Sequence, residues 1–126
     1  EERQRRREKP IEAPAEDAPP AELVKYGIAL QRAQRYAEAR AALLRALRAS
    51  LRGDGASCRD AELAYEHLSY VQVALHRLGQ SAEAEAVLHE AVAEADAAGV
   101  PADNDGRRAG ERGLRANAFP PPPLRL

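Results

Sequence analysis

The sequence predicts an all-α protein built as two stacked antiparallel helical hairpins with extended N- and C-terminal tails. Three observations lead to this prediction. Alanine, which has the highest helix propensity, occupies 28 of the 126 positions. Aromatic residues, which favour strands, make up only 4% of the chain, and no segment alternates apolar and polar residues. Apolar residues instead recur three, four and seven positions apart, as they do on one face of a helix.

Composition divides the chain into three segments, and the length supports only one modest domain. Residues 1–21 combine charged residues with four prolines and are predicted to form an extended arm. Residues 22–100 carry the helical pattern. Residues 101–126 return to glycine, proline and charge, and the run Pro120–Pro123 favours polyproline II. We therefore predict that residues 101–126 form an extended tail without a helix.

The first hairpin is predicted between residues 22 and 52. Its first helix follows a pair of prolines and runs from about Glu22 to Ala33, with apolar or small residues on one face. After a short turn, its second helix runs from Tyr36 to about Arg52. The glycines at positions 53 and 55 end this second helix.

The second hairpin is predicted between residues 57 and 99. Ser57, with an acidic residue three positions later, fits a capping box that opens a helix continuing to Leu78. Ser81 is then predicted to cap a fourth helix, which Gly99 closes.

The two predicted hairpins are related by an internal repeat. Residues 26–47 align without gaps to residues 71–92. The matched pairs are Ala29 with Ala74, Leu30 with Leu75, Glu38 with Glu83, Ala39 with Ala84, Leu43 with Leu88, and Ala46 with Ala91. Because small residues let two helices approach closely, this pattern indicates that each hairpin packs in the same way.

These residues resemble the tetratricopeptide repeat (TPR) family, whose helix-turn-helix unit spans about 34 residues. That family has a small residue at position eight of the unit, a large one at eleven, and alanine at twenty and twenty-seven. These positions hold Gly27, Leu30, Ala39 and Ala46 in the first unit, and Gln72, Leu75, Ala84 and Ala91 in the second. The resemblance implies a fragment of an α-solenoid that binds other proteins.

The chain departs from the family pattern in its spacing, in one residue and in its number of units. The two units lie 45 residues apart, and Gln72 stands where a small residue is expected, so we expect the second hairpin to cross more loosely. Two units without a capping helix are also expected to leave apolar surface exposed on the fourth helix. That exposure predicts a protein partner.

The resemblance also implies a binding groove along the first helix of each unit. The groove residues are Val24, Ile28, Gln31, Arg32, Glu66, Ser69, Val73, His76 and Arg77. Val24 and Ile28 stand where peptide-carboxylate clamps of this family have Lys and Asn, so we expect a mostly apolar groove for a helix or extended segment. Further contacts are predicted on the tails, at Arg3, Arg5, Arg6, Arg7 and Phe119.

The sequence predicts no catalytic, cofactor-binding or metal-binding site. The three histidines lie 9 and 13 residues apart, whereas helical metal ligands need spacings of about 3 or 4. Cys58 is the only cysteine and has no histidine beside it, which argues against a catalytic thiol and excludes a disulfide-stapled secreted scaffold. No apolar run approaches the roughly 20 residues of a transmembrane helix. We therefore predict that the protein is not an enzyme.

Charge is divided between the two hairpins. From Leu23 to Arg52 the chain has seven basic residues and one acidic residue, and from Gly53 to Gly99 it has two basic and nine acidic residues. Two interpretations remain open. The hairpins attract each other across their interface, or they present surfaces of opposite sign to different partners.

The function predicted from the sequence is that of a non-catalytic scaffold, a small accessory subunit of a larger assembly such as an organellar photosynthetic, respiratory or ribosomal complex. One alternative is a TPR segment of a larger signalling or regulatory protein that binds transient peptides. Another is a ribosomal-type subunit whose Arg-rich arm contacts RNA, and an anionic membrane surface is a further candidate for that arm. The chain contains no methionine, which predicts either a processed protein or a fragment of a longer one. An organellar location after removal of a transit peptide and a cytoplasmic location both stay open.

Overall fold

The computed structural model describes residues 11–119 and shows an all-helical chain over that range. It contains five helices, with no strand among the described residues: α1 (Pro20–Arg32), α2 (Tyr36–Arg52), α3 (Arg59–Arg77), α4 (Ser81–Ala97) and α5 (Asp105–Ala118). The all-α prediction is confirmed. The first four helices begin and end within about two residues of the predicted bounds.

The first two helices meet at a glycine. A Cβ atom added to Gly27 would lie 2.6 Å from Cδ2 of Leu43, so the backbones of α1 and α2 approach more closely than a larger residue allows. Both residues are buried, and Leu43 is fully inaccessible to solvent. The small residue predicted at this position therefore lies where α1 and α2 come together.

Helix α3 lies at the centre of the fold and contacts each of the other four helices. Its buried face belongs to a single cluster of leucine, alanine and valine side chains that extends through all five helices. The side-chain caps predicted at the N-termini of α3 and α4 are absent. Cys58, not Ser57, is the N-cap residue of α3, and Gln80 precedes α4, with no capping bond from either side chain.

The largest difference from the sequence prediction is α5. Residues 101–126 were predicted to be an extended tail, but residues 105–118 form a helix that packs against both α3 and α4. The side chain of Asn104 caps it by accepting a hydrogen bond from the backbone N–H of Arg107 at 3.0 Å. Leu114 is fully buried in the common core. The predicted absence of a capping helix, and the apolar surface it would have exposed on α4, are therefore wrong.

Helix α5 runs parallel to α3. Along α5, Gly106 contacts the loop before α3, Gly110 contacts the ring of Tyr65, and Asn117 reaches the last turn of α3. Added Cβ atoms at Gly106 and Gly110 would overlap their neighbours, so these glycines permit the close approach.

Gln72 has a role that the sequence did not predict. It was expected to loosen the second hairpin, but it is completely buried on α3. Its Nε2 donates hydrogen bonds to the carbonyl oxygen of Ala84 on α4, at 3.1 Å, and to that of Leu114 on α5, at 2.9 Å. One amide thus links three helices.

Ion pairs join α2 to α4. On α2, Arg40 pairs with Glu90 of α4, and Arg48 binds Glu94 through two hydrogen bonds of 2.6 and 2.8 Å. The hydrogen bonds from Arg48 lower the pKa of Glu94 below its ordinary value. These four residues therefore link the basic half of the helical region to its acidic half.

The described part of the N-terminal arm lies against the helices. Residues 11–19 contain no helix or strand, as predicted, although α1 begins at Pro20. Arg45 of α2 donates hydrogen bonds to the carbonyl oxygens of Ala15 and Glu16, and Ile11 packs against the core. The predicted contact residues Arg3, Arg5, Arg6 and Arg7 and the run Pro120–Pro123 lie outside the described residues.

Candidate functional site

The predicted groove residues do not lie in one groove. Some of them line one of two separate clefts, and Val24 is buried in the hydrophobic core. Val24 is 2% exposed and belongs to the hydrophobic core, so its prediction as a partner contact is wrong. Val24 lies on the buried face of α1 together with Leu23, Gly27 and Leu30. Ile28 is half-buried and packs against the same core.

The first cleft lies between the end of α3 and the turn of the first hairpin, and we call it the Tyr36–Tyr70 cleft. Its volume is about 410 Å³. Its lining residues are Gln31, Gln34, Tyr36, Tyr70, Val73, Ala74, Arg77 and Leu78. Three predicted groove residues, Gln31, Val73 and Arg77, therefore share one concavity.

Exposed apolar side chains border this cleft. Tyr70 is 47% exposed and Leu78 is 58% exposed, and the described residues include only one other large apolar side chain this accessible, Phe119. Contiguous exposed apolar surface is typical of interaction sites, and tyrosine is common in them because its ring is apolar and its hydroxyl polar.

Two residues that line the Tyr36–Tyr70 cleft, Gln31 and Tyr70, are held by contacts with other side chains of the protein. Nδ1 of His67 lies 2.7 Å from Oε1 of Gln31, and the His67 and Tyr70 rings meet edge to face with centroids 5.1 Å apart. The Tyr70 hydroxyl donates a hydrogen bond of 2.9 Å to Glu66. Burial lowers the pKa of His67, and the charge of the exposed predicted groove residue Arg32 lowers it further, against an opposing effect of Glu66.

The second cleft lies between α3 and α5, and we call it the α3–α5 cleft. Its volume is about 480 Å³. Its lining residues are Ser57, Glu62, Tyr65, Glu66, Ser69, Asp105, Gly106, Ala109, Gly110 and Gly113. The predicted groove residues Glu66 and Ser69 lie here, so part of the groove predicted along α3 faces α5 of the same chain.

His76 is also engaged by the fifth helix. Its Nε2 lies 2.8 Å from the carbonyl oxygen of Asn117, and its Nδ1 lies 3.0 Å from Oγ of Ser81. Because a carbonyl oxygen only accepts, Nε2–H donates to Asn117. The sequence placed His76 in an open partner groove, whereas its ring nitrogens are occupied within the chain.

The sequence analysis did not predict the contacts that hold α5 against the rest of the fold. Arg107 is 4% exposed and donates hydrogen bonds of 2.6 Å to Glu111 and to the carbonyl oxygen of Val100, and it pairs with Asp96 at 2.8 Å. Burial lowers the pKa of Arg107, but the bonds to Glu111 and Asp96 outweigh it and raise that pKa overall. The available signals were an Asn-Asp cap and acidic and basic residues four positions apart.

No group of three or more His, Cys, Asp or Glu side chains within residues 11–119 is arranged to hold a metal ion. Burial raises the pKa of Tyr65 to about 12, and its hydroxyl has no hydrogen-bond partner among the residues that the structure describes.

None of the helices in the described part of the chain has the length and apolar character required to cross a bilayer.

Comparison with known proteins gave no relative. No protein-family model matches the chain, and no curated protein or solved structure shows significant similarity to it.

Proposed function

We propose that the protein is a non-catalytic interaction module that holds a segment of a partner protein in the Tyr36–Tyr70 cleft and thereby serves as an accessory subunit of a larger assembly. The observation that carries this proposal is the exposure of Tyr70 and Leu78, 47% and 58%, at the border of a cleft of about 410 Å³. Covering these side chains releases water from apolar surface, which favours association.

The lining of the cleft suits a peptide segment. Tyr36 and Tyr70 offer rings that contact apolar side chains, while Gln31 and Gln34 offer amides that can pair with a peptide backbone. Arg77 is exposed beside them and adds one positive charge. An interaction site typically combines an apolar centre with such a polar rim.

We further propose that the helices form two TPR-like hairpins followed by a terminal cap. Support comes from the small residue at the contact of α1 with α2, and from the parallel direction of α3 and α5. In repeat proteins a terminal helix covers the apolar face that the last unit would otherwise expose, and α5 packs on α3 and α4 in that manner.

Purification of the tagged full chain from its native source tests the proposed function. A partner should co-purify with the wild type and be lost from the double variant Tyr70→Gln/Leu78→Gln. The matched control is His89→Ala, on the exposed surface of α4 and outside both clefts. Circular dichroism would verify that all three proteins are folded.

The stoichiometry of the co-purified partner separates the two protein-binding hypotheses. A partner recovered in fixed proportion supports an assembly subunit, whereas exchangeable partners in small amounts support a signalling module. Equal recovery with the double variant and the wild type would contradict binding at the Tyr36–Tyr70 cleft.

A further inference from the structure

The turns of the two hairpins have the same backbone geometry but different residues at one position. The internal repeat pairs Gln34 in the turn between α1 and α2 with Gly79 in the turn between α3 and α4. Both residues adopt the left-handed conformation, with φ 63° at Gln34 and φ 77° at Gly79. In each turn the next residue donates a backbone hydrogen bond back to the preceding helix, at 2.9 Å in the first and 2.8 Å in the second. The two turns are therefore matched except for the side chain that they carry.

Glutamine is strained in this conformation, whereas glycine is not. A side chain in the left-handed region crowds the following carbonyl oxygen, because Cβ lies too close to it. Among the described residues other than glycine, Gln34 is the only one with a positive φ. No atom lies within 4 Å of a Cβ position built on Gly79, so packing does not exclude a side chain there. The backbone of the first turn thus prefers glycine, and the side chain of Gln34 lowers stability.

The strained side chain lies at the candidate site. Gln34 is exposed and lines the Tyr36–Tyr70 cleft, whereas Gly79 lines neither cleft. Strained residues are concentrated at functional sites, where the side chain has a use that outweighs its cost in stability. The difference between the two turns therefore indicates that Gln34 contributes to binding.

The amides at the cleft favour an extended segment over a helix. Gln31 places its Oε1 2.7 Å from Nδ1 of His67, which leaves its amide nitrogen as a donor, and exposed Gln34 offers both a donor and an acceptor. A helix has already paired the backbone groups of its middle turns, whereas an extended segment presents free N–H and C=O groups. Two amides beside exposed tyrosine rings therefore match an extended segment with apolar side chains.

The charge at the cleft favours an acidic segment. Arg77 lines the cleft, and the charge of Arg32 acts on His67, whose ring contacts Tyr70. Both arginines are exposed, and neither forms an ion pair with another of residues 11–119. The one carboxylate held at this lining, that of Glu66, accepts a hydrogen bond from the Tyr70 hydroxyl. Two guanidinium groups against one carboxylate leave positive charge, which a carboxylate of the ligand complements.

We propose that the Tyr36–Tyr70 cleft binds an extended segment of a partner protein in which apolar and acidic residues alternate, and that Gln34 is kept in a strained conformation to bind the backbone of that segment. The binding role rests on the proposed function, because it names the ligand of the same cleft. The strain at Gln34 does not depend on any partner, so it can be measured on the isolated full chain.

A reciprocal pair of variants tests the strain. Gln34→Gly should raise the melting temperature of the full chain by about 2–8 °C, because it removes the strained side chain. Gly79→Gln introduces the same strain in the other turn and should lower the melting temperature by a similar amount. Circular dichroism measures both. A melting temperature that is unchanged or lower for Gln34→Gly would overturn the proposal.

Binding is tested with a short synthetic peptide, capped at both ends, in which leucine alternates with glutamate. Titrated into the ¹⁵N-enriched full chain, it should shift the NMR amide peaks of Tyr36, Tyr70 and Leu78. Gln34→Gly should raise the dissociation constant about 2–10-fold, the effect of one lost hydrogen bond, although this variant is the more stable protein. Gly79→Gln is the matched control and should leave the dissociation constant unchanged.

Two further peptides separate the contributions of charge and of apolar contact. Replacement of the glutamates by lysine, or of the leucines by serine, should greatly weaken binding. Equal binding of the lysine peptide, equal affinity of Gln34→Gly and the wild type, or no binding of the glutamate peptide at millimolar concentration would each overturn the proposal. In each of these cases the co-purification experiment with Tyr70→Gln/Leu78→Gln still decides whether the cleft binds a partner of other chemistry.

Discussion

Two glycines on α5 allow a test of how closely that helix packs on α3. Gly110 and Gly113 lie on the same helix and both face α3, but they differ in the space beside them. A Cβ atom at Gly113 would lie 3.5 Å from Oγ of Ser69, which is an ordinary contact. A Cβ atom at Gly110 would overlap the ring of Tyr65 and lie 2.6 Å from its Cδ1.

The two Gly→Ala changes are expected to have opposite effects. Alanine at Gly113 should stabilise the fold by about 0.5–1 kcal/mol, because it restricts the unfolded chain and favours a helix. Alanine at Gly110 receives the same benefit, but it must displace the ring of Tyr65, which is 3% exposed and packed in the core. Such overpacking costs about 1–3 kcal/mol. Gly110→Ala should therefore be less stable than Gly113→Ala by about 1–3 kcal/mol.

Urea unfolding followed by circular dichroism measures this difference. With a denaturant dependence of about 1–2 kcal/mol per molar urea, the midpoints of the two variants should differ by on the order of 1 M. The free energy of helix propensity cancels in the comparison, since both changes are Gly→Ala inside one helix. Coincident midpoints, or a higher midpoint for Gly110→Ala, would refute the close packing of α5 on Tyr65.

Three further predictions concern other parts of the fold. Gly27→Leu should lower the free energy of unfolding by about 1–3 kcal/mol or more, because Leu43 occupies the space; unchanged thermal stability would contradict this contact. Arg107→Met should cost about 2–4 kcal/mol, and adding Glu111→Leu should recover part of it, since the single change leaves a carboxylate that is largely buried without its cation. The pKa of His67 is lowered from 6.5 in the folded state, so the unfolded state binds the proton more readily. Stability should fall as the pH drops below about 6.5 toward the folded pKa, and His67→Gln should show a smaller fall in its urea midpoint between pH 7.5 and 5.5.

The first four helices could be predicted because local and tertiary signals agree in them. Their apolar residues recur with helical spacing, and turn residues such as Gly79 and Gly99 adopt the left-handed backbone conformation that ends a helix. Helix α5 could not be predicted in the same way. Three of its 14 residues are glycine, and each costs about 1 kcal/mol in a helix, so its local preference opposes the observed structure.

Only part of the candidate site could be predicted, for the same physical reason. Gln31 and Val73 were assigned to a groove and do line a cleft. The environment of His76 depends on α5, which the sequence pattern does not reveal. Val24 was assigned from a family position, while its burial follows from how α1 packs on the core of this chain.

Because α5 is a poor helix by itself, its packing has a consequence for how the chain is made. The protein is synthesised from its N-terminus, so α1 to α4 leave the ribosome before Leu114, which completes the core. Until then, the apolar face of α4 that α5 covers is exposed to solvent. Nascent chains with exposed apolar surface are the ones that chaperones bind and that aggregate. The interval between the synthesis of α4 and that of α5 is therefore the one in which these helices are most exposed to misassembly, and α5 ends that interval.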